Sequence, residues 1–134
     1  MREAGLSLAL AVFAAAAFLL LSGAAQDADT EERLWRQRNL GKVLFETPST
    51  QAQSVAELKK ALDIAPDSVR ERINYGIALL RTGKNREAIA ELEKAQKQDP
   101  TLPHTWFNLG IAYKREAQFE NAIRQFEGFL KLVP

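Results

Sequence analysis

Apolar residues are laid out in two different ways along this chain. Between Leu6 and Leu21 they form an almost unbroken run that ends in Ser22-Gly23-Ala24-Ala25. Beyond residue 30 they recur in a fixed register. Leu40 and Leu44, Tyr75 and Leu79, and Leu109 and Tyr113 flank Gly41, Gly76 and Gly110. Each set is followed by a small residue, Ser54, Ala88 or Ala122, and then by Leu58, Leu92 or Phe126. Pro66, Pro100 and Pro134 close the sets at a spacing of 34 residues. A fixed period of that length marks an array of helical repeats. The pattern predicts an all-α chain with six helices at about 30–46, 51–64, 68–82, 86–98, 102–116 and 119–132.

Local chemistry fits these helices. Glycine inside a helix costs about 1 kcal/mol against alanine, a cost accepted where two helices approach closely. Ser54, Ala88 and Ala122 are then the small partners on the facing helix, and the large residues fill the space between. Each proline ends a helix, since it lacks the N–H and clashes with the preceding turn. Asp29 with Glu32 marks a helix start, and Thr50 with Gln53 and Ser68 with Glu71 have capping-box spacing. Gly83 suits a left-handed helix end. Ala117 stands at the matching place, where a left-handed conformation costs roughly 1–2 kcal/mol. The first set is one residue longer than the others, which puts an insertion near Thr47-Pro48-Ser49.

The third set reads Trp106, Leu109-Gly110, Tyr113, Ala122, Phe126 and Pro134, a W-x2-L-G-x2-Y pattern followed by A-x3-F and P. This closely resembles the tetratricopeptide repeat, a helix–turn–helix unit. The second set matches at Tyr75-Gly76, Leu79, Ala88, Leu92, Ala95 and Pro100, with Arg72 where the aromatic would stand. The first is weaker, with Leu40-Gly41, Leu44, Ser54, Leu58, Ala61 and Pro66. The resemblance implies a right-handed superhelical array of about three units, at 33–66, 67–100 and 101–134, within a domain over 26–134. It also implies that the first helix of each pair lines a concave groove. Matching offsets place Arg38, Asn39, Lys42 and Phe45 there from the first repeat. The second contributes Arg70, Ile73, Asn74, Ile77 and Arg81, and the third His104, Phe107, Asn108, Ile111, Lys114 and Arg115.

Asn39, Asn74 and Asn108 recur at one offset, and a row of amides can hold the backbone of an extended peptide. Basic residues beside Ile77, Ile111 and Phe107 suit a peptide carrying carboxylates and apolar side chains. Arg38, Asn74 and Asn108 also lie at or near the offsets of the carboxylate clamp of chaperone-binding tetratricopeptide domains. Lys42 and His104 depart from that clamp, and an exported chain would not meet cytosolic chaperones. Trp35 and Phe45 are expected to cap the irregular first repeat, and Trp106 to pack.

Composition narrows the function further. With 18 basic and 17 acidic residues the net charge is +1, against the strong basic excess of a nucleic-acid binder. There is no Cys and a single His, His104, so thiolate sites and multi-imidazole metal sites are excluded. No nucleophile elbow, phosphate loop, dinucleotide fingerprint or zinc motif is present. Glu91 and Glu93 read as part of a solvated face. The expectation is a non-catalytic chain with no cofactor and no metal.

The first 25 residues read as a secretory signal peptide, with the mature chain beginning near Gln26. That implies a periplasmic or secreted protein; the alternative is membrane anchoring through residues 5–21. Ile123, Phe126, Phe129, Leu130 and Leu132 leave the last helix apolar on a face that a further helix would cover. A longer protein, or self-association through that face, is therefore expected. The leading function is a protein-interaction scaffold that holds an extended peptide in the groove. The alternatives are a structural spacer or oligomerisation unit, or an N-terminal accessory domain of a larger exported protein.

Overall fold

The computed structural model describes the backbone of residues 3–133 and the side chains of residues 17–133. Most of the expected signal sequence and of the alternative anchor at 5–21 lies outside the described side chains, and Pro134 lies outside the described residues altogether. Among the described residues, no helix is long and apolar enough to cross a membrane.

The helices are α1 (Glu3–Glu46), α2 (Gln51–Ile64), α3 (Val69–Arg81), α4 (Asn85–Gln98), α5 (Pro103–Arg115) and α6 (Phe119–Leu132). A short 3-10 turn at Pro48–Thr50 takes up the predicted insertion. The bounds of α2 to α6 differ from the expected ones by at most a residue at each end. The first helix does not start near residue 30: α1 is continuous from Glu3, so Asp29 is helical and caps nothing. The chain divides into two compact units, residues 1–33 and residues 34–134. In the first, Phe18, Leu19, Leu20 and Leu21 are exposed, and the Ser22 hydroxyl donates to the Leu19 carbonyl at 3.0 Å.

Within residues 34–134 the glycines sit where helices touch. A Cβ on Gly41 would lie 2.6 Å from Leu58 Cγ, one on Gly76 2.8 Å from Leu92 Cγ, and one on Gly110 2.5 Å from Phe126 Cε1. The small partners Ser54, Ala88 and Ala122 are buried, and Ser54 Oγ donates to the Gly41 carbonyl at 2.9 Å. Leu79, Leu92 and Leu109 are fully enclosed, each contributing about 1.5–3 kcal/mol of apolar transfer. Leu40, expected to fill the same space, is exposed instead. It stands on the face that a preceding helix covers in the later repeats.

Two capping expectations divide. The Ser68 hydroxyl accepts from the Glu71 N–H at 3.3 Å, as the spacing predicts. The Glu71 carboxylate is drawn away to Arg38 and does not close the box. Thr50 is not a side-chain cap: its hydroxyl donates to the Leu44 carbonyl at 2.6 Å, tying the 3-10 turn to the end of α1. Gly83 and Ala117 both take left-handed backbone, with φ of 79° and 58°.

Repeats are joined by a device that residue type alone conceals. Trp106 Nε1 donates to the Pro100 carbonyl at 2.8 Å. One repeat earlier, Arg72 Nη2 donates to the Pro66 carbonyl at 2.6 Å. The arginine that replaces the aromatic therefore performs the same junction contact, and also bonds Glu91 and Gln98. Glu91 and Glu93 are not merely solvated. Burial opposes ionisation of Glu91, but Lys94 and Arg72 hydrogen bonds hold its carboxyl below the usual range, while Glu93 accepts from Tyr113.

Candidate functional site

Helices α1, α3 and α5 present one connected surface. A pocket of about 260 Å³ is lined by Lys42, Phe45 and Glu46 of α1, Leu58 of α2, and Asn74 and Ile77 of α3. It shares Ile77 with a pocket of about 200 Å³ lined by Leu80, Arg81, Phe107, Asn108, Ile111 and Arg115. That one shares Phe107, Ile111 and Arg115 with a third pocket of about 450 Å³, reaching Lys114 and Phe126. These linked depressions run over Lys42, Phe45, Asn74, Ile77, Arg81, Phe107, Asn108, Ile111, Lys114 and Arg115. Arg38, Asn39 and His104 line none of these three depressions.

Helical periodicity gives the register but not the depth of each side chain. Ile73, expected to line the groove, is buried in the core at 9% exposure. Leu58 and Phe126, on the second helices of their pairs, do line it. Their Cγ and ring edge come forward because Gly41 and Gly110 leave no Cβ in the way. That glycine gap was the signal that could have found them.

The charges of the groove are largely committed within the fold. Arg38 places both Nε and Nη2 2.6 Å from Glu71 Oε1, with the Glu71 side chain fully buried. Arg81 stacks over the Phe45 ring, 4.6 Å from its centroid. Arg115 Nη1 donates to the Leu80 carbonyl at 2.6 Å. Three of the expected anion-binding cations are therefore holding neighbouring helices together. Lys42 and Lys114 are exposed and have no ion-pair partner among the described residues.

The three asparagines are not equivalent. Asn39 Nδ2 donates to the Trp35 carbonyl at 2.8 Å, and Asn108 Nδ2 to the His104 carbonyl at 2.7 Å, each one turn back on its own helix. Asn74 Nδ2 is buried and has no hydrogen-bond partner, and it lies in the wall of the first pocket. An unpaired buried donor costs about 1–3 kcal/mol, so the Asn74 amide is the strongest demand for an acceptor in the groove. Further along, Phe107 packs on Phe126 and Phe129 with ring centroids 6.0 and 5.4 Å apart, making an aromatic wall. Trp35, expected to cap the first repeat, is 64% exposed and covers little.

Residues 76–116 match a family model described as TPR repeat, and residues 103–134 one described as tetratricopeptide repeat. No curated protein sequence matches the chain. Among solved structures, the first TPR domain of Spaghetti (RPAP3), bound to the HSP90 peptide SRMEEVD, superposes with a TM-score of 0.72 at 18% identity, over 77% of this chain and 81% of that one. The Sgt2 TPR domain from Aspergillus fumigatus gives 0.68 at 21% identity, over 74% of this chain and 65% of that one. YrrB, a TPR protein with an unusual peptide-binding site, gives 0.69 at 21% identity, and this chain spans 50% of its length. At these identities the likeness is one of fold, while the family models match the repeats themselves. Together with the glycine contacts, the left-handed turns and the proline clasps, they make this chain a tetratricopeptide repeat protein.

Proposed function

We propose that the chain is an exported, non-catalytic interaction scaffold that holds an extended peptide in the groove formed by α1, α3 and α5. The domain that does so spans residues 26–134, and residues 1–25 are its secretion signal. The observation that carries the reading is the pocket at Asn74. Phe45, Leu58 and Ile77 give it apolar walls, the Asn74 amide offers an unused donor, and Lys42 stands at its rim. That set fits a large aliphatic side chain whose own backbone carbonyl accepts from Asn74, with a carboxylate nearby for Lys42.

Because Arg38, Arg81 and Arg115 are engaged within the fold, the peptide need not be strongly acidic. One carboxylate at each end of the groove, opposite Lys42 and Lys114, matches the charges that are left. The HSP90-type clamp is disfavoured on the same ground: Arg38, at a clamp offset, is held by buried Glu71.

A library of fluorescent peptides with one Leu, Met or Phe flanked by Asp or Glu tests this reading by anisotropy. Binding should weaken roughly 2–10-fold in Asn74→Ala, the worth of about one hydrogen bond, and vanish in Ile77→Asp. Equal binding to wild type and to both variants would remove the groove from the function.

A further inference from the structure

We infer that the array associates head to tail with a second copy of itself, the α6 face of one copy receiving the α1 face of the next. This goes beyond the groove reading and meets it only at Lys114, where Glu46 of a neighbouring copy takes the place of a peptide carboxylate.

The exposed faces of α6 and α1 match, in register, a junction that the chain makes internally. Ile123 of α6 stands one period after Ile89, which is partly buried against the core. Leu130 stands two periods after Leu62. Leu62 is 5% exposed, whereas Ile123 and Leu130 are 56% and 63% exposed. On α1, allowing for the insertion, Leu40 and Val43 occupy the places of Leu109 and Ala112, both fully buried. Leu40 and Val43 are 43% and 68% exposed. Helix α6 thus exposes a second-helix face, and α1 a first-helix face, of the kind that pack together inside the array.

Charge selects this arrangement. At both internal junctions the residue at the end of a first helix reaches one place on the preceding repeat: Arg81 reaches the Phe45 ring and Arg115 reaches the Leu80 carbonyl. The residue in the Arg81 place of the first repeat is Glu46, and the residue in the Leu80 place of the third is Lys114. Neither has an ion-pair partner among the described residues. Continuing the array from one copy to the next sets Glu46 against Lys114, a pairing that the α6 faces of two copies would not make. Such an interface is heterologous and leaves a free face at each end, so it grows beyond a dimer.

Sedimentation equilibrium of the 134-residue chain, with circular dichroism as the folding control, tests the inference. Average mass should climb with concentration past the dimer. Val43→Glu and Leu130→Glu, both at exposed positions, should each give a monomer, and an equimolar mixture of the two should recover a dimer and nothing larger. Glu46→Lys should weaken association about 2–5-fold, as an exposed ion pair would, and Lys114→Glu added to it should restore the wild-type curve. A wild type that stays monomeric would overturn the proposal. So would Val43→Glu that still dimerises, which indicates pairing of α6 faces, or association that survives both substitutions, which points to exposed Phe18 to Leu21. Loss of peptide binding in Asn74→Ala leaves all these outcomes untouched, so the two readings fail separately.

Discussion

Exchanging glycine and alanine at the two left-handed turns should move stability in opposite directions. Gly83 and Ala117 occupy matching turns with φ of 79° and 58°. A Cβ at Gly83 meets nothing within 4 Å, so Gly83→Ala introduces no clash and its whole effect is conformational. Left-handed backbone costs an alanine about 1–2 kcal/mol. The smaller freedom of the unfolded alanine chain returns about 0.4–1 kcal/mol. The net is a loss of about 0.5–1 kcal/mol for Gly83→Ala, and a gain of similar size for Ala117→Gly. For an array of this size that is roughly 2–8 °C in Tm, downward in the first variant and upward in the second. Thermal and urea unfolding followed by far-UV circular dichroism measure it, and the double exchange should return near to wild type. A Gly83→Ala protein as stable as wild type, or an Ala117→Gly protein less stable, would show that the turns are not set by backbone strain.

Removing Arg38 should cost about 3–5 kcal/mol, because Glu71 is left buried and unpaired; Arg38→Met with Glu71→Leu should recover most of it, as urea titration would show. Gly110→Ala should destabilise by about 1–3 kcal/mol despite better helix propensity, since its Cβ falls on the Phe126 ring; the same titration reads this loss. Burial, then the hydrogen bond to Glu93, pushes the Tyr113 hydroxyl up to about 12. An unfolded tyrosine loses its proton near 10. The stability that Tyr113 contributes is therefore whole below pH 10 and declines as pH rises from 10 through 12. Tyr113→Phe should flatten that part of the alkaline unfolding profile.

Much of the fold was legible because glycine, small residue and proline recur in one register, and each records a backbone constraint. Gly76 facing Leu92 follows from the residues themselves, and the left-handed turn at Ala117 from its register with Gly83. What the sequence could not disclose was the end of each long side chain. Arg38, Arg81 and Arg115 share the groove register with Lys42 and Lys114, yet an arginine can reach across to a neighbouring helix. Whether it does so depends on what Glu71, Phe45 and the Leu80 carbonyl offer there. The asparagine row behaves likewise: Asn39 and Asn108 satisfy themselves one turn back, and only the packing around Asn74 leaves its amide unpaired. Helix α1 began early for a simpler reason, since no proline or glycine pair stands between its apolar run and Asp29 to stop it.

The clasp on the repeat-closing prolines has a consequence for how such arrays vary. At one junction an indole N–H holds the carbonyl, and at the other a guanidinium does. What the position demands is a donor of sufficient reach, not an aromatic ring. The two donors differ in their surroundings: the Trp106 ring lies where a Cβ on Gly128 would stand, whereas Lys94 holds the matching place beside Arg72. A repeat can depart from its signature at this place and still make the contact to the proline carbonyl. Arrays of this kind therefore extend further along a chain than their aromatic spelling indicates.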